Sequence, residues 1–229
     1  MTRVYGCAIA IVLACACSRR EPRSNGEQRV SQVARDTGST AADAEPRAVP
    51  ARTGADSARV RKIRALRLRI DSQVHGNAPR PRLFAAVGDS VVTVRDTSAW
   101  PEETDVSYAV LEVASGKVRF ASESPTSRSG DWFVLDSYYF DEGGRTVLVR
   151  RFQSSFQTAC DDTPVKEITE SYYGPDLQLL QRDYRLTNAH DVRVDPEQCR
   201  PYIQDAPRLP RTWEAFAQAT GLGRFFRRP

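Results

Sequence analysis

Residues able to perform nucleophilic, acid–base or metal chemistry are sparse in this chain of 229 residues. It has two histidines, His75 and His190, which are 115 positions apart. The serine best placed to act as a nucleophile is Ser90, because it follows an apolar stretch and a Gly-Asp pair. A nucleophilic serine needs a histidine base and an oxyanion hole. Ser90 and His190 are therefore the pair to consider for a hydrolase.

The segment 86–91, Ala-Val-Gly-Asp-Ser-Val, resembles the nucleophile block of GDSL-type hydrolases. The resemblance implies Ser90 as nucleophile and His190 as base. That family places its Asp and His in an Asp-x-x-His block, whereas residues 188–191 read Asn-Ala-His-Asp, and its Gly and Asn blocks and alternating helices are missing. Gly-Asp-Ser is also a favourable tight turn, because glycine tolerates a positive φ. We predict a hairpin turn here and keep the Ser90–His190 hydrolase as the alternative.

The sequence predicts no metal or cofactor. His75 and His190 are too far apart along the chain to form a spaced ligand set. The acidic groups at 102–105, 141–142 and 161–162 lack the spacing of a calcium loop, and no phosphate-binding glycine loop occurs. We therefore predict that the protein is not an enzyme and assign no catalytic residue.

The cysteines divide into an N-terminal group and a distant pair. The pair is Cys160 and Cys199, and in an oxidising compartment we expect it to form a disulfide. A loop of this size would be stabilised by about 4 kcal/mol in the chain-entropy model. A redox-active role would need a close pair such as Cys-x-x-Cys, which the sequence lacks. The remaining three are Cys7, Cys15 and Cys17.

The first seventeen residues have the pattern of an export signal. Arg3 is followed by an uncharged run at 4–16, too short to span a bilayer but suited to a signal peptide. Arg19, Arg20 and Glu21 then end the apolar segment. A buried helix, or a signal cleaved after Ala-Cys-Ala at 14–16, is the plainer interpretation.

Residues 13–17, Leu-Ala-Cys-Ala-Cys, resemble the end of a bacterial lipoprotein signal. The resemblance implies that a cysteine is acylated and becomes the new N-terminus, which would hold the protein to the membrane by more than one acyl chain, palmitate among them. Cleavage before Cys17 leaves an even pair of cysteines, whereas cleavage before Cys15 leaves Cys17 as an odd thiol. We therefore favour Cys17, with Cys15 as the alternative. Ser18 follows Cys17 directly, and a serine at that position resembles lipoproteins that are sent to the outer membrane.

Composition allows one domain of ordinary size. Hydrophobic residues make up 40% of the chain and aromatic residues 9%, enough to build a core. The net charge is +4, but the basic residues are nearly all arginine, a skew more typical of genome composition than of recognition. An exported protein also meets no duplex, so we predict no nucleic-acid partner.

Residues 17–57 are polar and small, and no aromatic residue occurs between Tyr5 and Phe84. Such a segment cannot bury enough apolar surface to offset the entropy of ordering. We predict a disordered linker behind a signal peptide at 1–16. Flexible chain of this length has a reach of roughly 35 Å, enough to hold a domain clear of lipid headgroups.

A basic helix is predicted from Ala58 to Val74, with Asp56 and Ser57 as the cap and His75-Gly76 as the stop. Apolar residues recur at three- and four-residue spacing, although 66–71 also alternates like a strand. The main interpretation packs this stripe on a sheet and leaves the arginines in solvent. The alternative is a helix drawn to anionic lipid. The stripe comprises Val60, Ile63, Leu66, Ile70 and Val74.

From Leu83 onward the hydrophobic period changes to two, and turn residues recur at intervals. We predict four successive hairpins that form an up-and-down antiparallel meander with one packed and one wet face. The fold class is therefore α+β, mainly antiparallel β, with a short C-terminal helix capped by Thr212 and ended by Gly221. The hairpins are 83–87 with 91–94, 106–113 with 117–121, 132–140 with 146–152, and 165–173 with 177–185.

The segments 137–141 and 171–175 are alike, since each carries Ser-Tyr-Tyr. A helix followed by such hairpins is similar to a diffuse class of uncharacterised envelope proteins. We expect a domain at 58–221 and a basic tail at 222–229. Together these features predict a lipid-anchored cell-envelope protein, in the outer membrane, whose sheet binds or scaffolds an envelope protein partner. The alternatives are the hydrolase and a carrier of a lipid or another apolar ligand.

Overall fold

The computed structural model describes residues 54–76, 79–156, 164–197, 199 and 206–226. The predicted signal peptide, most of the predicted linker, Cys17 and Cys160 lie outside these residues. The first described element, helix α1, covers Gly54–Val74, where the sequence suggested Ala58–Val74. Asp56 therefore lies inside the first turn instead of before it, where its charge favours the positive end of the helix dipole.

Eight antiparallel strands follow α1, and their bounds lie within a few residues of the predicted hairpins. Alternating side chains and turn residues at each reversal explain this agreement. The strands are β1 (Arg82–Val87), β2 (Ser90–Val94), β3 (Val106–Glu112), β4 (Val118–Pro125), β5 (Trp132–Phe140), β6 (Thr146–Ser155), β7 (Val165–Tyr173) and β8 (Leu179–Thr187).

All eight strands form one sheet in the order β2-β1-β3-β4-β5-β6-β7-β8, so the predicted α+β, mainly antiparallel fold is confirmed. The first hairpin departs from a simple progression because β1, and not β2, pairs with β3. Phe84 and Ala85 of β1 are fully buried, whereas Val92 of β2 is 40% exposed. The more apolar strand thus takes the interior position and the short strand takes the edge.

The second helix, α2, spans Trp213–Ala219 and lies against one face of the sheet, together with a 3₁₀ helix at Leu222–Phe225. Thr212 caps α2 by accepting a hydrogen bond from the Ala215 amide, and Gly221 follows its end with φ +72°, as the sequence predicted. The core on this face, which we call the α2 face, contains Phe84, Tyr108, Val110, Tyr138, Phe140, Val149, Tyr173, Trp213, Phe216, Ala217 and Leu222.

Leu222 of the predicted basic tail belongs to this core, and Phe225 and Phe226 pack against it. The Phe225 ring lies 4.9 Å from that of Phe84, and the Phe226 ring lies 5.0 Å from that of Trp213. Arg82 stacks 4.5 Å above the Phe226 ring, a cation–π contact. This part of the tail therefore packs on the sheet, and residues 227–229 lie outside the described residues.

Helix α1 covers the opposite face, so the prediction of one wet face is wrong. Its Val60, Ile63 and Ile70 are buried against the sheet, and Leu66 and Val74 are partly buried. The sheet needs cover on both faces because apolar residues occupy consecutive positions near the strand ends, as in Tyr138-Tyr139 and Tyr172-Tyr173. The sheet residues of this α1 face are Leu111, Phe120, Tyr139, Val147, Leu148, Tyr172 and Leu180.

Phe216 of α2 tests whether this helix is an integral part of the core. Its side chain is 1% exposed, and its ring lies 4.8 Å from that of Tyr138. Phe216→Ala should lower the free energy of unfolding, measured by urea denaturation, by roughly 3–5 kcal/mol. The control is Phe156→Ala, since Phe156 is 58% exposed and should change stability by less than about 0.5 kcal/mol. Equal effects would show that α2 does not contribute to the core.

Candidate functional site

The structure does not bring Ser90 and His190 together. Ser90 is the first residue of β2 at one edge of the sheet, whereas His190 lies in the turn that follows β8 at the other edge. Seven strand spacings separate the two edges, roughly 34 Å along the sheet. Both residues are exposed. This separation does not support the pairing that a serine hydrolase would require.

Gly88 and Asp89 form the two-residue turn of the first hairpin, and Ser90 begins β2, so the hairpin turn that the sequence predicted is present. Val87 and Ser90 are the last register pair of β1 and β2, and Gly88 has φ +54°. The Gly88 amide donates a hydrogen bond to Asp105 at 2.9 Å. The turn therefore satisfies the structural role that favours glycine at this position.

A cluster of charged residues lies on the α2 face, at a place that the sequence analysis did not single out. Glu123, Asp136 and Arg151 are neighbours across β4, β5 and β6. Arg151 donates two hydrogen bonds to Asp136, from Nε at 2.8 Å and from Nη2 at 2.7 Å. The Tyr138 hydroxyl donates to Glu123 at 2.7 Å. We call Glu123 and Asp136 the buried acid pair, since their side chains are 9% and 6% exposed.

The two carboxyl groups differ in their environment. Burial raises the pKa of Glu123 above its ordinary value of 4.5, although the hydrogen bond from Tyr138 opposes this shift. Burial, with the Glu123 charge adding to it, raises the pKa of the Tyr138 phenol, which therefore remains a hydrogen-bond donor. Asp136 is held instead in a bidentate ion pair with Arg151. In an active site, two carboxyl groups in such different environments can take different roles, one as the acid and one as the base.

The low exposure of the buried acid pair favours a structural role for it. Asp136 and Glu123 are 4% and 7% exposed as whole residues, which leaves little surface for a substrate. Gln153 lies two residues after Arg151 in β6, on the same face of the sheet. It is also buried, and its Oε1 has no hydrogen-bond partner among the described residues. Neither of the two clefts described below is lined by these residues. In the part of the chain that the structure describes, both carboxyl groups are thus almost fully enclosed.

On the other face, polar contacts fix α1 to the sheet. Arg67 donates to Glu170 at 2.7 Å and to Asp71 at 3.1 Å. Asp71 accepts a hydrogen bond from the Tyr139 hydroxyl at 2.7 Å. Arg64 pairs with Asp183 of β8 at 2.7 Å. These contacts, added to the buried apolar stripe, determine which side of α1 faces the sheet.

The side of α1 that faces away from the sheet is basic and carries an exposed leucine. Leu68 is 67% exposed, more than any other large apolar residue described. Arg61, Lys62 and Arg69 are also exposed, and no described carboxylate lies within 4 Å of them. We call this surface the outer face of α1. It comprises Arg61, Lys62, Ala65, Leu68, Arg69 and Ser72.

Two adjoining clefts lie beside the C-terminal half of α1. The larger has a volume of about 600 Å³ and is lined by residues that include Arg80, Arg82 and Val113. The smaller has a volume of about 250 Å³ and is lined by residues that include Arg69 and Arg119. The space directly under α1 is instead filled by the apolar core of that face. A ligand of the carrier alternative would therefore lie beside the helix.

The remaining site residues concern metals and cysteines. Among the described residues, no group of three or more His, Cys, Asp or Glu side chains could hold a metal ion. Cys199 is 5% exposed and packs near Val165 and Leu186. Cys160 lies outside the described residues, so the disulfide between Cys199 and Cys160 stays a prediction. The proposed acylation site Cys17 also lies outside the described residues.

Comparison with known proteins adds no assignment. No family model, curated protein or solved structure matches this chain. Within the part of the chain that the structure describes, no helix has both the length and the apolar character needed to cross a membrane.

The Arg151–Asp136 pair tests the structural role of the charged cluster. Arg151→Ala leaves the Asp136 carboxylate buried without its partner and should lower the free energy of unfolding by roughly 3–5 kcal/mol. The matched control is Arg128→Ala, which breaks an exposed pair with Asp105 at 2.9 Å and should cost at most about 1 kcal/mol. Replacing both partners, as Asp136→Leu with Arg151→Met, should recover most of the loss. Similar losses for Arg151→Ala and Arg128→Ala would contradict this role.

The raised pKa of Glu123 predicts a pH dependence of stability. Because the folded state binds the Glu123 proton more tightly than the unfolded state, this group makes the protein less stable as the pH rises from the ordinary value of 4.5 through the raised pKa. Glu123→Gln removes this contribution, so its stability relative to wild type should increase over that window. Urea denaturation at a series of pH values measures the difference.

Two other glutamates serve as references for that experiment. Burial also raises the pKa of Glu167, so part of the wild-type slope should survive in the Glu123→Gln variant. Glu142 has a side chain that is 82% exposed, so Glu142→Gln is the reference for the loss of a carboxylate at the surface. If Glu123→Gln and Glu142→Gln gave the same profile, the assignment of the slope to Glu123 would be wrong.

Proposed function

We propose that this chain is a lipid-anchored cell-envelope protein whose sheet domain acts as a non-catalytic binding or scaffolding module. The observation that carries the proposal is the uncharged run at 4–16 between Arg3 and Cys17, followed at once by charged residues. In this proposal acyl chains on Cys17 hold the protein to the outer membrane, and residues 18–53 connect the anchor to the folded domain. An envelope protein is the expected partner of that domain.

Two features of the domain favour binding over catalysis. Ser90 and His190 lie at opposite edges of the sheet, and the buried acid pair has almost no exposed surface. A catalytic group must reach its substrate within hydrogen-bond distance, directly or through one water. The exposed outer face of α1 meets the need for access, but its possible nucleophiles are limited to the Lys62 amine and the Ser72 hydroxyl, and none of its residues is a histidine or a carboxylate.

A carrier of a lipid or another apolar ligand is the second candidate. The cleft of about 600 Å³ beside α1 favours it, because a cleft of that size can hold a small ligand. Its lining mixes the apolar residues Pro79, Val113 and Ala114 with Arg80 and Arg82. This composition suits an amphiphile with an acidic head. The packed core under α1 limits such a ligand to the end of the helix.

Metabolic labelling with palmitate tests the anchor. The wild-type chain, expressed in a bacterium with its own signal, should incorporate the label and sediment with the membranes. Cys17→Ser should abolish labelling and release the domain from the membrane fraction, because the acyl chains supply the attachment. Density separation of inner and outer membranes then tests the expected outer-membrane location.

Cys15→Ser is the matched control for this experiment, since Cys15 lies two residues upstream in the same segment. It should keep the label if cleavage precedes Cys17. Labelling that persists in Cys17→Ser but is lost in Cys15→Ser would move the acylation site to Cys15. An unlabelled wild-type chain in the soluble fraction would overturn the proposal as a whole.

A further inference from the structure

The outer face of α1 combines three exposed cations with one exposed leucine. Leu68 is 67% exposed, Arg61 lies two turns before it along the helix, and Lys62 and Arg69, seven residues apart, lie together on one side of it. Positions 61, 65, 68, 69 and 72 recur at three- and four-residue spacing, so they form a single stripe along the helix. This stripe combines positive charge with an apolar side chain.

The inward side of α1 explains why the outer cations are not neutralised. Arg64 and Arg67 are paired with Asp183, Asp71 and Glu170, so the acids near the helix are engaged with inward cations. Asp56, the other acid of α1, lies in its first turn. No described carboxylate lies within 4 Å of Arg61, Lys62 or Arg69. Within the residues that the structure describes, the positive charge of the outer face is therefore not neutralised by an ion pair and can attract a partner.

We propose that the outer face of α1 docks on an anionic phospholipid surface. The three cations bind headgroup phosphates, and Leu68 enters the boundary between headgroups and acyl chains, as in helices that lie in the plane of a membrane. Helix α1 stays packed on the sheet, so docking orients the whole domain. The inference extends the lipid anchor proposed above, but binding by this face does not require acylation, so either can fail without the other.

A lipid surface fits the outer face better than a protein partner does. A standard protein interface buries about 800 Å² on each partner and has a core rich in aromatic residues and poor in charge. The outer face of α1 has no aromatic residue, and its one large apolar side chain is flanked by cations. Electrostatic attraction to anionic lipid needs neither a large apolar core nor a fixed set of partner residues.

Vesicle binding tests the proposal with the full chain carrying both Cys15→Ser and Cys17→Ser, which removes both candidate acylation sites. Two kinds of vesicle are compared, one of phosphatidylcholine alone and one that also contains phosphatidylglycerol. The measured quantity is the partition coefficient for the phosphatidylglycerol vesicles divided by that for the phosphatidylcholine vesicles. The N-terminal apolar run is the same in all variants, so its contribution is common to them. The test variant is Arg61→Gln, Lys62→Gln, Arg69→Gln. The control, Arg95→Gln, Arg128→Gln, Arg193→Gln, removes the same charge from exposed arginines elsewhere.

The wild-type ratio should exceed one clearly at low salt and should fall as salt is added, because surface charges are screened. The α1 triple variant should lower the ratio by roughly 10- to 100-fold, given the attraction of each cation near an anionic surface. The control triple should leave it within about threefold of wild type. Leu68→Ser should weaken binding to the phosphatidylglycerol vesicles, whereas Val192→Ser, at a site that is 59% exposed, should not. Circular dichroism checks that each variant is folded.

Three results would overturn the proposal. They are a wild-type ratio near one, an equal loss in the α1 and control triples, and no loss with Leu68→Ser. A photo-crosslinker introduced at position 68 in intact cells separates lipid from protein. A lipid adduct supports the proposal, and a protein adduct in its place rejects it in favour of a protein interface.

Discussion

The constraint on which the rest of this structure depends is that one sheet must be covered on both of its faces. At the strand ends, neighbouring residues carry rings to opposite sides, so Tyr138 and Tyr173 join the α2 face while Tyr139 and Tyr172 join the α1 face. Leu148 of β6 lies between Tyr139 and Tyr172 in the register, so the two Ser-Tyr-Tyr segments are offset by one residue and the first tyrosine of each faces the opposite side of the sheet. A helix on a single face would leave half of these rings in water, at roughly 1.5–3 kcal/mol for each large apolar side chain.

This double cover also determines where charge can lie. Charged residues within the sheet need partners, and they find them in Arg151 for Asp136 and in Arg67 for Glu170. Each pair offsets a desolvation penalty that would otherwise fall on a single buried ion. Arg64 and Arg67 of α1 are engaged in this way, whereas Arg61, Lys62 and Arg69 face solvent. The position of these exposed cations is thus a consequence of how α1 packs on the sheet.

The sequence was sufficient for the strands but not for every relation between them. Period-two patterns and turn glycines such as Gly88 determine each hairpin locally, and so does the cap of α2 by Thr212. The pairing of β1 with β3 depends on a long connection and on which strand is more apolar, and neither has a local signature. The buried acid pair has one signal that was missed. Asp136 alternates with Val134 and Tyr138 along β5, so it lies on the same buried face as they do. A charged residue at a position where the pattern predicts an apolar one was the signal.

The proposed anchor and the outer face of α1 become more effective together than either is alone. Thirty-six residues separate Cys17 from Gly54, the first residue of α1, and a flexible chain of that length has an end-to-end distance of roughly 33 Å. The anchor would therefore hold α1 at an effective concentration on the order of millimolar near the membrane. A surface of three cations and one leucine binds weakly in isolation, but at that concentration even millimolar affinity keeps it occupied for much of the time. Since α1 and α2 lie on opposite faces, docking through α1 would leave helix α2 on the side of the domain that is turned toward the aqueous phase.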